Sequence, residues 1–136
     1  MKIFMIASKH NYHRIEEIKT ELENKGHTIT LPNSFEDPFI EERLKQEGYE
    51  KHSKFKEEMF LLQRKKVSEN DAVLVVNFEK HGIPNYLGGA TFLEMYEAFI
   101  QEKKIFMYNP IPEGILKDEI EGFNPIILNG NLELIR

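Results

Sequence analysis

The segment Asn85-Tyr-Leu-Gly-Gly-Ala-Thr-Phe-Leu-Glu-Met95 carries the densest chemistry in the chain. Gly88 and Gly89 let the backbone approach a ligand closely, and a helix starting just after them offers free N–H groups suited to a phosphate or a sugar hydroxyl. Thr91 and Glu94 then fall in the first turn. An ionised Glu94 facing the same cleft can attack, or stabilise, an oxocarbenium-like centre during glycosidic cleavage. A second reading stands beside it. Thr91-Phe-Leu-Glu94 is also a capping box, in which the threonine hydroxyl and the glutamate carboxylate satisfy the first amides of the helix. Glutamine serves a cap about as well as glutamate but cannot act as a carboxylate nucleophile, so Glu94→Gln separates the two.

Other candidates cluster in loops. Ser8, Lys9 and His10, with Arg14 beyond them, can contact a phosphate, against the competing reading of solvated charge at a helix start. Asn77, Asn85 and Tyr86 lie between the third strand and the Gly88-Gly89 helix, where they can bind substrate. Tyr12 and Tyr86 can stack on a base or pack against their surroundings. Asp71 leads a strand and reads as a turn residue. His10 and His13 have no third ligand to complete a zinc site, so neither metal nor cofactor is expected. The chain has no Gly-x-x-x-x-Gly-Lys-Ser/Thr loop and no Gly-x-Ser-x-Gly elbow, which removes P-loop and serine-hydrolase chemistry.

The elements that must position these residues alternate along the chain. Ile3–Ala7 reads as a covered strand, followed by a helix capped by Asn11, with Ile15, Ile18 and Leu22 on one face and a stop at Lys25-Gly26. His27–Leu31 is a second strand. Residues 36–50 read as a charged, solvent-facing helical insertion. A third helix runs from Ser53, its cap, to about Glu69, turning Phe55, Met59, Leu62 and Val67 to a core. Ala72–Val76, apolar and rich in β-branched valine, is the clearest central strand. A helix over about 92–102, a strand at Ile105–Tyr108 and a Pro-rich loop follow. Ile126–Leu128, a turn at Asn129-Gly130 and Leu132–Ile135 close the chain.

Strand–helix alternation predicts a parallel sheet with right-handed crossovers, a single α/β domain of the flavodoxin-like three-layer, doubly wound kind, strand order 2-1-3-4-5. Its ligand cleft lies beyond the carboxyl ends of the strands at the switch point. The chemistry is therefore expected in the loops at 8–11, 77–91 and 109–114.

Composition narrows the classes. At 136 residues, 40% hydrophobic and 30% charged, the chain has material for one core, and it has no cysteine for disulfides. Its 18 Lys and Arg against 23 Asp and Glu give a net charge of −5, which disfavours nucleic acid as a partner. The longest apolar runs are far short of the roughly 20 residues that span a bilayer, and Lys9 interrupts the first one before a signal-peptide core forms. No membrane partner is expected, and the expected location is the cytoplasm.

The run Asn70-Asp-Ala-Val-Leu-Val-Val-Asn77, the segment Asn85–Glu94 and Lys103-Lys-Ile-Phe106 resemble the nucleoside 2-deoxyribosyltransferase-like superfamily, which includes nucleotide N-glycosidases. The resemblance covers Lys2 to about Pro112. It implies a flavodoxin-like fold, a homo-oligomer with shared active sites, and cleavage or transfer at the glycosidic bond of a nucleoside or nucleotide, with Glu94 as nucleophile. The chain departs from that pattern at Gln63, where the family has a second acid, and in the loop before Glu94, where Asn85 and two glycines replace an acidic or hydroxyl residue. Gly89 stands five residues ahead of Glu94 rather than the usual four. Neither Gln63 nor Asn85 can give a departing base a proton. These departures support a rival reading, a noncatalytic nucleotide-binding module on the same fold.

Overall fold

Alternation of side chains across the pleat decides the layering of this protein, seen in a computed structural model that describes residues 1–136. Strands β1 (Lys2–Ala7), β2 (Thr28–Thr30), β3 (Ala72–Val76), β4 (Lys104–Met107) and β5 (Ile126–Ile127) form one sheet, all parallel, in the order β2-β1-β3-β4-β5. The fold is the expected flavodoxin-like three-layer α/β arrangement. Every residue of β3 is buried, as its place between β1 and β4 requires.

One face of the sheet, with Ile3, Met5, Ala72, Leu74, Val76 and Phe106, packs on Ile15, Ile18 and Leu22 of α1 (Tyr12–Asn24) and on Leu128, Leu132 and Ile135 of the C-terminal segment. The other, with Phe4, Ile6, Val73, Val75, Ile105 and Met107, packs on Val67, Met95, Ala98 and Ile120. These last four come from α3 (Tyr49–Ser68), α4 (Gly89–Ile100) and α5 (Lys117–Gly122). α2 (Ile40–Glu47) has no buried residue and packs against α3. Period-2 alternation in five short strands thus separates two cores, and hydrophobic burial on both faces holds the sheet between helices.

Four local expectations need correction. Asn11 does not cap α1 with its side chain; a 3₁₀ turn at Lys9–Asn11 leads into the helix and its amide N–H bonds the Ser8 carbonyl at 2.9 Å. α3 starts at Tyr49 rather than at Ser53, because Gly48, at φ 126°, is the only break between α2 and α3. α4 starts at Gly89, three residues earlier than its apolar spacing suggests. Leu132–Ile135 makes no strand: after the left-handed Asn129-Gly130 turn, Asn131 accepts the Glu133 amide at 3.1 Å and sets a 3₁₀ turn that seats Leu132 on the core. α5 was not foreseen at all, since its six residues bury only Ile120. No helix is long and apolar enough to cross a membrane.

Candidate functional site

β1 runs on to β2 at one side while β3 starts the other half of the sheet, so the order of strand addition reverses between β1 and β3 and leaves a crevice at their carboxyl ends. A cavity of about 280 Å³ opens there. Four segments wall it: Ile6–Lys9 at the end of β1, Pro32–Ser34 with Pro38 and Glu41 after β2, Tyr86 and Gly88–Thr91 with Glu94 after β3, and one face of α3. Of the residues singled out by sequence, Ser8, Lys9, Tyr86, Gly88, Gly89, Thr91 and Glu94 line it together, as does Tyr12.

His10, Asn77 and Asn85 do not line it. His10 is exposed and meets the His81 ring edge-on at 5.4 Å. Asn77, 1% exposed, ties two strand ends: its Nδ2 donates to the carbonyls of Asn109 and Pro110 at 3.0 Å each, and its Oδ1 accepts the Asn109 amide at 2.8 Å. Its amide is consumed by the fold. Asn85 takes a left-handed φ of 54°, a conformation asparagine tolerates, so that the Tyr86 amide turns back onto the Phe78 carbonyl at 3.0 Å.

The start of α4 determines what Glu94 is. Gly88, extended at φ −87° and ψ 174°, precedes the helix, and its carbonyl accepts the Phe92 amide at 3.0 Å. Thr91 is consequently the third helical residue rather than the cap, no side chain caps α4, and the Thr91–Glu94 capping box does not form. Glu94 sits a full turn inside the helix, 8% exposed, with no hydrogen bond or ion pair, on the cavity wall. Burial raises its pKa to about 8, with the Lys66 and Lys56 ammonium groups pulling it back. Tyr12 stands close enough that burial and the Glu94 charge push its phenol above the usual range, and its hydroxyl donates to the Asn33 carbonyl at 3.2 Å. Half-buried Lys66 donates to the Leu31 carbonyl at 3.0 Å; burial lowers its pKa against the pull of Glu94.

Cations and acids from α2 and α3 share the rim. Lys9 pairs with Glu42, and burial lowers the Lys9 pKa. Glu41 also lines the cavity and accepts from His52 Nε2 at 2.9 Å, with Lys56 Nζ 3.4 Å away. Burial pushes the Glu41 carboxyl up, but its bonds to His52 and Lys56 outweigh burial and hold it below the usual range. Lys80 lies 4.6 Å from the centroid of the Tyr86 ring. Sequence reasoning missed Asn33, Ser34, Glu41, Lys56 and Phe60 as lining residues. Charged residues at helical spacing signal a solvated face, and only the packing of α2 on α3 turns them to a cavity.

The cavity therefore holds one unpartnered carboxylate, Glu94, and one engaged one, Glu41. An isolated, desolvated carboxylate between small backbone walls can attack an electron-poor carbon or stabilise developing positive charge. The fold is similar to the solved structure of a Clostridium botulinum CMP N-glycosidase, BcmB, with a TM-score of 0.57 and 17% sequence identity, over 93% of this chain and 85% of that one. No family model and no curated protein matches the chain.

Proposed function

We propose that this protein cleaves or transfers at the N-glycosidic bond of a nucleoside or nucleotide, with Glu94 as the attacking group. The observation that carries the reading is the Glu94 carboxylate itself: buried, without a protein partner, and facing a cavity at the switch point. As the bond from the anomeric carbon to the base nitrogen breaks, its electron pair leaves with the base and a Glu94 oxygen closes on the carbon to form a glycosyl ester. Water or an acceptor base then displaces Glu94. The base takes its proton from solvent, because Gln63 cannot donate one as an acid. With a pKa near 8, Glu94 is mostly protonated in the empty site at neutral pH; it releases that proton to solvent before it attacks, and the positive charge developing on the sugar then stabilises the carboxylate.

Ser8, Gly88, Gly89 and Thr91 form the small polar wall for the sugar, and Lys9 and Lys80 stand at the rim where a phosphate would sit. Part of the same reading is self-association. Phe60 and Leu61 of α3 and Leu93, Tyr96, Phe99 and Ile100 of α4 are 40–59% exposed on neighbouring helices, an apolar face for a second copy of the chain.

Incubation with a panel of nucleosides and 5′-monophosphates, followed by chromatography for free base, tests the activity. Base release that Glu94→Gln abolishes supports the reading; release that survives the substitution refutes Glu94. The engaged state of Glu41 and the amide at position 63 favour one rival, a noncatalytic nucleotide-binding module, which predicts ligand-induced thermal shifts with no free base.

A further inference from the structure

Of the four buried amide side chains, Asn70 and Asn77 are spent on the protein and Asn11 and Gln63 are not, and of these two only Gln63 lines the cavity. Asn70 donates to the Lys66 carbonyl at 2.6 Å and accepts from Thr30 Oγ1 at 3.3 Å. Asn77 uses both ends of its amide on the loop after β4. Gln63 is 7% exposed and lines the cavity, yet neither end of its amide bonds to the protein. Its polar atoms are not sealed off as that of Asn33 Oδ1 is, so they open to the cavity. A donor and an acceptor held side by side with little access to bulk water carry a free-energy cost until something pairs with both.

The surroundings of Gln63 say what that something is. Phe55, Lys56, Met59, Phe60 and Gln63 line the cavity from α3 at spacings of one, three, one and three residues, which is one helical face. Two aromatic rings and a thioether on this wall suit the face of a flat heterocycle. The opposite wall, Ser8 and Gly88–Thr91 beside Glu94, is small and polar, suited to a sugar. A nucleobase lying on the α3 wall brings an edge to Gln63.

We infer that Gln63 is a specificity-determining residue that reads a neutral nucleobase edge on which a hydrogen-bond donor and acceptor stand side by side. Ring nitrogen beside exocyclic amine, or ring N–H beside exocyclic oxygen, both meet that description, and amide rotation selects between them. An amide holds such an edge at every pH without protonating it. The inference rests on the nucleoside or nucleotide reading of the cavity and deepens it by assigning the base subsite.

Calorimetric binding tests it, with Glu94→Gln carried by every protein, wild type at position 63 included, so that nothing turns over; the ligands are CMP, UMP, AMP, IMP and GMP, with ribose 5-phosphate as the probe that lacks a base. Gln63→Leu, a near-isosteric apolar replacement, should weaken the preferred monophosphate about tenfold or more and flatten preference among bases, while ribose 5-phosphate binds within about twofold of wild type. Gln63→Met serves as the second variant, circular dichroism confirming that each is folded. Gln63→Glu should make affinity pH-dependent, because its protonated form alone keeps a donor. Wild type that binds monophosphates while both apolar variants keep its base preference overturns the role of Gln63 alone. Equal loss for ribose 5-phosphate and the nucleotides also overturns it. Wild type that binds none of these ligands overturns the nucleotide reading, and Gln63 with it.

Discussion

Replacing Glu94 by glutamine should make the protein more stable, by an amount that grows with pH. The folded protein holds Glu94 at a pKa of about 8 against 4.5 for a free glutamate. Between those values the folded state keeps a proton that the unfolded chain has released, so folding becomes less favourable as pH rises. The penalty is absent below pH 4.5, grows by about 1.4 kcal/mol per pH unit, and levels off above pH 8 at about 5 kcal/mol. Glutamine has the same shape and never ionises. Glu94→Gln should thus match wild type near pH 4.5, exceed its stability by about 3 kcal/mol at pH 7, and exceed it by about 5 kcal/mol at pH 9. Urea unfolding followed by circular dichroism at pH 5, 7 and 9 measures the difference, with equal slopes required of both proteins. Titrating groups other than Tyr12 and Lys66, which feel the Glu94 charge, shift both curves alike and cancel in the comparison. A difference that stays flat from pH 5 to 9 refutes the reasoning, because the carboxylate would then be solvated or paired. A glutamine variant less stable than wild type at every pH would mean that the carboxylate makes a bond the fold needs.

If ionised Glu94 is the attacking group, kcat/KM for base release should rise about tenfold per pH unit at acid and neutral pH and level off above about 8, the pKa of the free enzyme; a profile that falls through this range would assign Glu94 as a proton donor. Asn77→Ala leaves buried carbonyls of Asn109 and Pro110 and the Asn109 amide without their partner and should cost about 2–4 kcal/mol of stability by urea titration, with base preference unchanged. Glu42→Gln frees Lys9, and Glu41→Gln frees Lys56. The double variant should bind 5′-monophosphates several-fold more tightly and nucleosides as before, by calorimetry at low salt; equal effects on both ligands would remove phosphate from the rim.

The sheet was legible because burial on two faces leaves its mark on short runs: Ala72–Val76 has no polar residue to place, and the strand order follows from handed crossovers. The crevice followed from that order, and with it Ser8, Lys9, Gly88, Gly89 and Glu94. What was not legible depends on contacts between elements. Asn77 looks like a loop residue free for substrate until Asn109 is brought beside it. Lys9, Glu41 and Glu42 look solvated until α2 folds over the crevice. Met59 fits a core stripe by spacing, yet that stripe continues past the core and becomes the wall of the cavity.

The capping pattern shows most clearly how a small shift in position changes chemistry. Thr-x-x-Glu has one meaning if the helix starts after Thr91 and another if it starts at Gly89. The extended backbone at Gly88 decides for the second. Those few residues carry Glu94 from the helix end, where free amides would have satisfied it, to beyond the first full turn, where burial leaves it without a partner and raises its pKa to about 8. A carboxyl group in that state destabilises the fold as it ionises, Lys66 and Lys56 offset part of the cost, and under the proposed reaction the positive charge developing at the anomeric carbon would offset more. The stability cost and the proposed catalysis are therefore two readings of the same displaced helix start, and a single substitution at Glu94 tests both.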